Sequence, residues 1–263
     1  MKKLIFVILG IVSSIMVFSQ EVRSRWTDTP LKIDGDNSDW IKNPKYWDSD
    51  SKVLYEARND SENLYLIFAM TDKISQMKFM QAGFQIYIKV KSKPKLKASI
   101  DFLPQRIIRG KSVFDTAQIK NEMIQTYLLR TNHAEINGFL KTSENINRSK
   151  NSNENFTFDI GLAENSDMLV EIQIPLSEIF ASPISLKKLK QIPIDSKFTI
   201  NALEHKGVEK MQSKGGGRQG GNNQGGRQGG GRKPSGDSID KLEKMEDMIS
   251  EQSFKMKFYL RSK

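Results

Sequence analysis

Residues 53 to 72 have the sequence VLYEARNDSENLYLIFAMTD, which predicts a β-hairpin. Two runs of aliphatic and aromatic side chains flank the polar segment Asn59-Asp60-Ser61-Glu62-Asn63, which has the composition of a turn. The second run is apolar at almost every position, as expected for a strand in the middle of a core. The hairpin therefore indicates a β fold, and the flanking segments extend it.

In the neighbouring segments, apolar and polar side chains alternate as they do in half-buried strands. AGFQIYIKVK (82–91) alternates apolar with polar side chains, and KLKASIDFLP (95–104) follows after a short turn, most simply as its antiparallel neighbour. Further strands are predicted at 134–141, 156–163, 197–206 and 253–262, and the segment 168–179 predicts a strand that runs into Pro175, with Pro175 or Ser177 opening a short helical turn. The fold class predicted is a mostly β, antiparallel sandwich.

Two segments change to helical spacing. In VFDTAQIKNEMIQTYLLR (about 113–130), apolar side chains fall on one face at intervals of three and four, which predicts an inserted amphipathic helix. The same spacing predicts a short C-terminal helix at about 238–250.

The N-terminus, MKKLIFVILGIVSSIMVFSQ, has two lysines and then an apolar run that is short for a membrane span. We interpret residues 1–19 as an export signal and residues 20–263 as one domain with no later membrane span. The predicted location is the periplasm, the cell surface or the extracellular space. The chain has no cysteine, which excludes thiol catalysis and thiolate metal sites.

A glycine-rich segment, KGGGRQGGNNQGGRQGGGRKPSGD (214–237), contains the hexapeptide GGRQGG twice. Because strands are predicted on both sides of it, we expect 207–237 to be a flexible insertion between the last two strands. Arginine-glycine segments also bind RNA. Here the predicted export and the lack of Phe or Tyr argue against a nucleic-acid partner. Its five Lys and Arg residues supply much of the formal net charge of +10.

Four motifs occur in a recognisable order: IDG followed by DW (Ile33 to Trp40), NLYLIFAMTD (63–72), AGFQIYI, and VEIQIPLSEI. This order resembles the carbohydrate-binding-module family nine-like domains of the broader DOMON-like group. These are β-sandwiches common in exported bacterial proteins, so the resemblance implies that fold. We interpret six motif residues as structural: Asp34, Gly35, Asp39, Trp40, Asn63 and Pro175.

Sugar binding requires exposed aromatic planes that stack on a pyranose, with polar side chains around them. The candidate ligand-binding residues are Trp26, Tyr46 and Trp47, which lie in polar or loop-like surroundings. In family-nine modules that bind sugars, two tryptophans sandwich a terminal residue, and no tryptophan follows position 47 here. Packing at a sheet edge is the alternative interpretation of Trp26 and Trp47.

Catalytic constellations are scarce. The two histidines, His133 and His205, have no nucleophile elbow or metal-ligand spacing near them, so we predict no enzymatic activity and no cofactor. The resemblance allows a structural calcium ion, for which the possible ligands are Asp34, Asp36, Asp39 and Asp72. Turn formation is the alternative role for the first three.

Two functional hypotheses follow. The first is an exported, non-catalytic binding module for carbohydrate or cell-envelope glycan. The second is a structural or assembly protein of the cell envelope that uses the sandwich as a scaffold for a protein partner.

Overall fold

A computed structural model describes residues 20–40, 44–104, 121–142, 145–148, 156–181, 188, 190–203 and 246–263. The predicted export signal, the predicted insertion at 207–237 and residues 113–120 of the predicted first helix lie outside the described residues.

The described residues form thirteen strands. In chain order they are β1 (Gln20–Arg23), β2 (Arg25–Trp26), β3 (Tyr46–Asp48), β4 (Val53–Asn59), β5 (Asn63–Met70), β6 (Phe84–Val90), β7 (Leu96–Phe102), β8 (His133–Asn137), β9 (Ile146–Asn147), β10 (Thr157–Leu162), β11 (Met168–Pro175), β12 (Ile194–Ile200) and β13 (Gln252–Tyr259). The helices are α1 (Lys73–Ala82), α2 (Asn121–Arg130) and α3 (Leu176–Ile179), and a 3-10 turn spans Ser38–Trp40.

The strands form two sheets. The first has the order β1-β13-β12-β6-β7-β8-β9, and the second has the order β10-β11-β5-β4-β2 with β3 also paired to β4. The fold is therefore the predicted β-sandwich with minor helices. Pairing is mostly antiparallel, but β1 runs parallel to β13 and β2 runs parallel to β4, so both sheets are mixed.

Aromatic side chains join the inner faces of the two sheets. The ring centroids of Phe68 and Phe198 lie 4.8 Å apart, as do those of Tyr55 and Phe254. Because alternate residues of a strand point to opposite faces, the apolar positions of both sheets meet in one core. Such ring pairs add about 1 kcal/mol each beyond their buried area.

The predicted pairings of neighbouring strands are confirmed. β4 and β5 form the hairpin, β6 pairs with β7, and β12 pairs with β13, all antiparallel. The hairpin turn is shorter than expected because Asn59 and Asn63 belong to the strands. The Asp60 carboxylate accepts the backbone N–H groups of Glu62 and Asn63 at 2.7 Å, which fixes the turn.

Helix α1 was not expected from the sequence. The side chain of Asp72 caps it by accepting the Ser75 N–H at 3.0 Å, and Gly83, with φ of 78°, ends it. Met77 and Met80 are buried in the core.

Helix α2 confirms the C-terminal part of the predicted amphipathic helix, and Ile124, Tyr127 and Leu128 are buried on its inner face. Residues 246–249 of the predicted C-terminal helix are helical. In the described part of the chain, no helix has the length and apolarity needed to cross a bilayer.

Candidate functional site

The IDG and DW motifs lie on the outer face of the second sheet. Trp40 has no exposed surface and forms a small second core with Leu31, Ile33, Tyr65 and Ile67. Tyr65 and Ile67 alternate along β5 with residues of the main core, so this strand is buried on both faces. The motif segment therefore covers the sheet.

A buried carboxylate anchors this segment. Glu171 Oε2 accepts the backbone N–H groups of Asp34 at 3.1 Å and Gly35 at 2.7 Å, and Oε1 accepts the indole N–H of Trp40 at 2.6 Å. Burial raises the pKa of Glu171 to about 8, although the three N–H donors favour the charged form. The carboxyl group is thus occupied on both oxygens.

Arg58 also contacts the segment around Trp40. Its guanidinium donates to the carbonyls of Asp39 at 3.1 Å and Trp40 at 2.7 Å, lies 5.2 Å from the Trp40 ring centroid, and pairs with Glu56 at 2.9 Å. Every charged group that touches Trp40 is therefore bound within the protein.

Gly35 packs directly against β10. Its φ of 78° is unfavourable for a side chain, and its carbonyl oxygen occupies the space that a Cβ at Gly161 would need. Pro175, in register with Asn63, ends β11 and precedes α3.

The four candidate calcium ligands accept backbone N–H groups. Asp34 accepts from Asp36, Asp36 from Ser38, Asp39 from Lys32, and Asp72 from Ser75. Among the described residues, no three His, Asp or Glu side chains are grouped so that they could hold a metal ion. A structural calcium ion stays a prediction.

Two of the three predicted ligand-binding aromatics meet at one edge of the second sheet. Trp26 lies on β2, opposite Asn59 of β4, while Tyr46 lies on β3, opposite Tyr55 of the same strand. Asn59 and Tyr55 are four residues apart, so their side chains and those of their partners point to the same side. Trp26 and Tyr46 are therefore about 13 Å apart along the strand and face the same way.

Trp47 points to the other side. It is opposite Leu54, one residue out of phase with Tyr55, and is 45% exposed. The structure thus separates Trp47 from the other two candidates.

Trp26 and Tyr46 line an open cleft of about 800 Å³. Both side chains are half-buried. Tyr46 stacks on Tyr55 with ring centroids 5.7 Å apart, and Lys45 Nζ lies 5.4 Å from its ring centroid. The remaining lining residues are Glu21, Arg23, Ser24, Arg25, Arg261 and Ser262.

The cleft lies where the chain crosses from the first sheet to the second, between β1 and β2. Ser24 donates its hydroxyl to Asn59 Oδ1, which also accepts the Arg261 N–H at 2.8 Å. The Asn59 amide in turn donates to the Arg261 carbonyl at 2.8 Å. This network fixes the floor of the cleft to both sheets.

The residues that line the cleft carry more positive than negative charges. Arg23, Arg25, Lys45 and Arg261 face a single acid, Glu21. Arg25 pairs with Glu56 at 3.5 Å, which lies outside the lining. Within the described part of the chain, the charged groups of Arg23, Lys45 and Arg261 have no ion-pair or hydrogen-bond partner.

These cations are not among the residues predicted from the sequence. Arg23 and Arg261 are 238 positions apart, and only the parallel pairing of β1 with β13 brings them together. No local pattern marks either residue.

Two other buried cations bind groups within the protein. Arg148 pairs with Asp159 at 2.6 Å and donates to the carbonyl of Leu128. Lys78 Nζ donates to the carbonyls of Asp247 at 2.8 Å and Ser250 at 2.6 Å, and burial lowers its pKa to about 8. Neither group faces the cleft.

Among solved structures, the chain is similar to a carbohydrate-binding module of family 9 from Caldicellulosiruptor kristjanssonii in complex with glucose. The TM-score is 0.38 and the identity 8%, over 93% of this chain and 97% of that one. No family model matches the chain, and no curated protein does either. The resemblance to family nine-like and DOMON-like domains stays a prediction.

Proposed function

We propose that this protein is an exported, non-catalytic binding module for carbohydrate, and that the cleft between Trp26 and Tyr46 is its binding site. The observation that carries the proposal is the grouping of these two half-buried rings in one open cleft. Aromatic planes with polar groups around them are the usual elements of a sugar site, because the rings cover the apolar face of a pyranose and the polar groups bind its hydroxyls.

The polar groups needed for orientation are also present. Ser24, Ser262 and Glu21 line the cleft, and the network of Ser24, Asn59 and Arg261 holds its floor in place before any ligand enters. A preformed site loses less entropy on binding than a mobile one does.

The test is titration calorimetry of the complete chain against a panel of soluble polysaccharides, with two tryptophan variants. Trp26→Ala is expected to weaken binding of the preferred glycan about 10-fold or more, as for a central aromatic contact. Trp47→Ala is the matched control, since Trp47 is exposed but lies on the other side of the strand, and it should bind as the parent does.

Two results would contradict the proposal. One is equal affinity of the Trp26→Ala variant and the parent, with both folded by circular dichroism. The other is the absence of binding to every glycan of the panel, which would favour a scaffold for a protein partner instead.

A further inference from the structure

A second depression of about 190 Å³ lies beside the aromatic cleft. Glu21, Arg23 and Arg261 line both depressions, and the second one adds Lys190 and Tyr259. The two depressions are therefore adjacent, and we name them together the basic path. Two adjacent depressions offer room for more than one unit of a polymer.

The basic path has an excess of positive charge at both ends. Its cations are Arg23, Arg25, Lys45, Lys190 and Arg261, and its one acid is Glu21. Within the described residues the charges of Arg23, Lys45 and Arg261 have no ion-pair or hydrogen-bond partner, although Lys45 Nζ also lies over the Tyr46 ring. An anionic ligand would supply the missing partners.

The chemical type of these cations indicates which anionic groups the ligand would carry. Two of the three unpaired groups are guanidinium groups, whose paired N–H donors match the oxygens of a carboxylate, sulfate or phosphate. The exposed parts of the Trp26 and Tyr46 rings suit the neutral, apolar face of a sugar instead. A ligand that carries both sugar rings and anionic groups would match both features.

We propose that the basic path binds a linear anionic polysaccharide, with its sugar rings on Trp26 and Tyr46 and its acidic groups on Arg23, Lys45 and Arg261. This inference rests on the proposed function and adds the class of ligand. The shared chemistry is an oxyanion on a sugar chain, which either a uronic acid or a sulfated sugar provides.

Four probes separate the possible outcomes. Polygalacturonate carries carboxylates, dextran sulfate carries sulfates, dextran has the same backbone without charge, and polyglutamate has charge without sugar. We expect polygalacturonate or dextran sulfate to bind at least 10-fold more tightly than dextran, and the preferred one of the two identifies the acidic group. Affinity should fall as sodium chloride rises from about 50 to about 500 mM, because salt screens exposed charges.

Matched variants locate the effect. The double variant Arg23→Gln/Arg261→Gln should lose about 10-fold or more in affinity for the anionic glycan. Its control, Arg130→Gln/Lys141→Gln, removes the same charge from exposed residues near β8, towards the opposite edge of the first sheet. Because residues 214–233 carry five further cations, each comparison is made between point variants of the complete chain.

Contrary results distinguish failure of the anionic ligand from failure of the carbohydrate site. Binding of dextran as tight as that of both polygalacturonate and dextran sulfate, or equal loss in the two double variants, would overturn the anionic ligand and leave the carbohydrate site standing. Polyglutamate binding as tight as that of the glycans and unchanged in Trp26→Ala would overturn the carbohydrate site. Absence of binding to all four probes would overturn both.

Discussion

Trp40 and Trp26 both donate their indole N–H to a carboxylate, and the two carboxylates are in opposite environments. Trp40 donates to Glu171, which is buried, whereas Trp26 donates at 3.0 Å to Asp28, whose side chain is 64% exposed. All three nitrogens of the Arg58 guanidinium beside Trp40 donate hydrogen bonds, but the guanidinium groups of Arg23 and Arg261, near Trp26, have no ion-pair or hydrogen-bond partner in the described part of the chain.

This difference between the surroundings of Trp40 and Trp26 distinguishes groups that stabilise the fold from groups that could bind a ligand. Buried polar groups that already have partners within the protein hold the segment of residues 31 to 40 on the sheet, and they offer nothing to a ligand. Exposed, unpaired charges around a half-buried ring contribute little to folding and remain available. The same residue types therefore have different uses in the two places, and substitutions can test this contrast.

The largest expected effect is that of Trp40→Ala. Removing a fully buried tryptophan costs about 3 to 5 kcal/mol of the free energy of unfolding, and here it also removes a donor from the buried Glu171 carboxylate. Trp26→Ala, in the half-buried cleft, should cost about 1 kcal/mol or less. Urea unfolding of the two variants measures both values, and equal destabilisation would remove the contrast.

The next effect concerns the pH dependence of stability. Burial raises the pKa of Glu171 from 4.5 to about 8, so between these values the folded protein binds a proton more strongly than the unfolded chain does. The stabilisation from this group is complete below pH 4.5 and is lost as the pH rises through 8, by up to about 5 kcal/mol.

A Glu171→Gln variant isolates this contribution from the other titrating groups. The amide nitrogen cannot accept a hydrogen bond, so the variant should be less stable than the parent at pH 5. The difference in free energy of unfolding should then shrink between pH 5 and pH 9. A difference that stays constant over this range would show that Glu171 keeps an ordinary pKa in the folded protein.

A smaller effect is expected for Gly161→Ala. The new Cβ would overlap the Gly35 carbonyl oxygen, which belongs to the backbone and moves only with the motif segment. The expected cost is about 1 to 3 kcal/mol, with binding at the cleft unchanged. Glu164→Ala, in the exposed turn after β10, is the control and should stay within about 0.5 kcal/mol of the parent. A neutral Gly161→Ala would mean that the segment is not held closely against β10.

The sequence predicts the parts of the fold that have a strong local period. The hairpin of β4 and β5 and the pair β6 and β7 alternate or form apolar runs, and their partners follow directly along the chain. Helix α1 lacks such a period because it is buried on nearly every side, from Ile74 to Met80. The sequence marks this helix only at its ends, where Asp72 is the N-cap and Gly83 is the C-cap.

The candidate site was predictable only in its aromatic residues. Trp26 and Tyr46 stand out by type, but β2 and β3 have two and three residues, too few for a periodic pattern. Their common orientation depends on both strands pairing with β4. The cations of the cleft depend on the pairing of β1 with β13, a contact between distant parts of the chain that local propensity does not encode.

That parallel pair also has a mechanical consequence. Along it, Gln20 is opposite Met256 and Arg23 is opposite Tyr259, so the chain enters β1 at one end of the ladder and leaves β13 at the other. Opposed forces on Gln20 and on Tyr259 would shear all the hydrogen bonds of this ladder together rather than peel them apart one by one. The edge strand that carries Arg23 is thus paired in the geometry that resists such a force best.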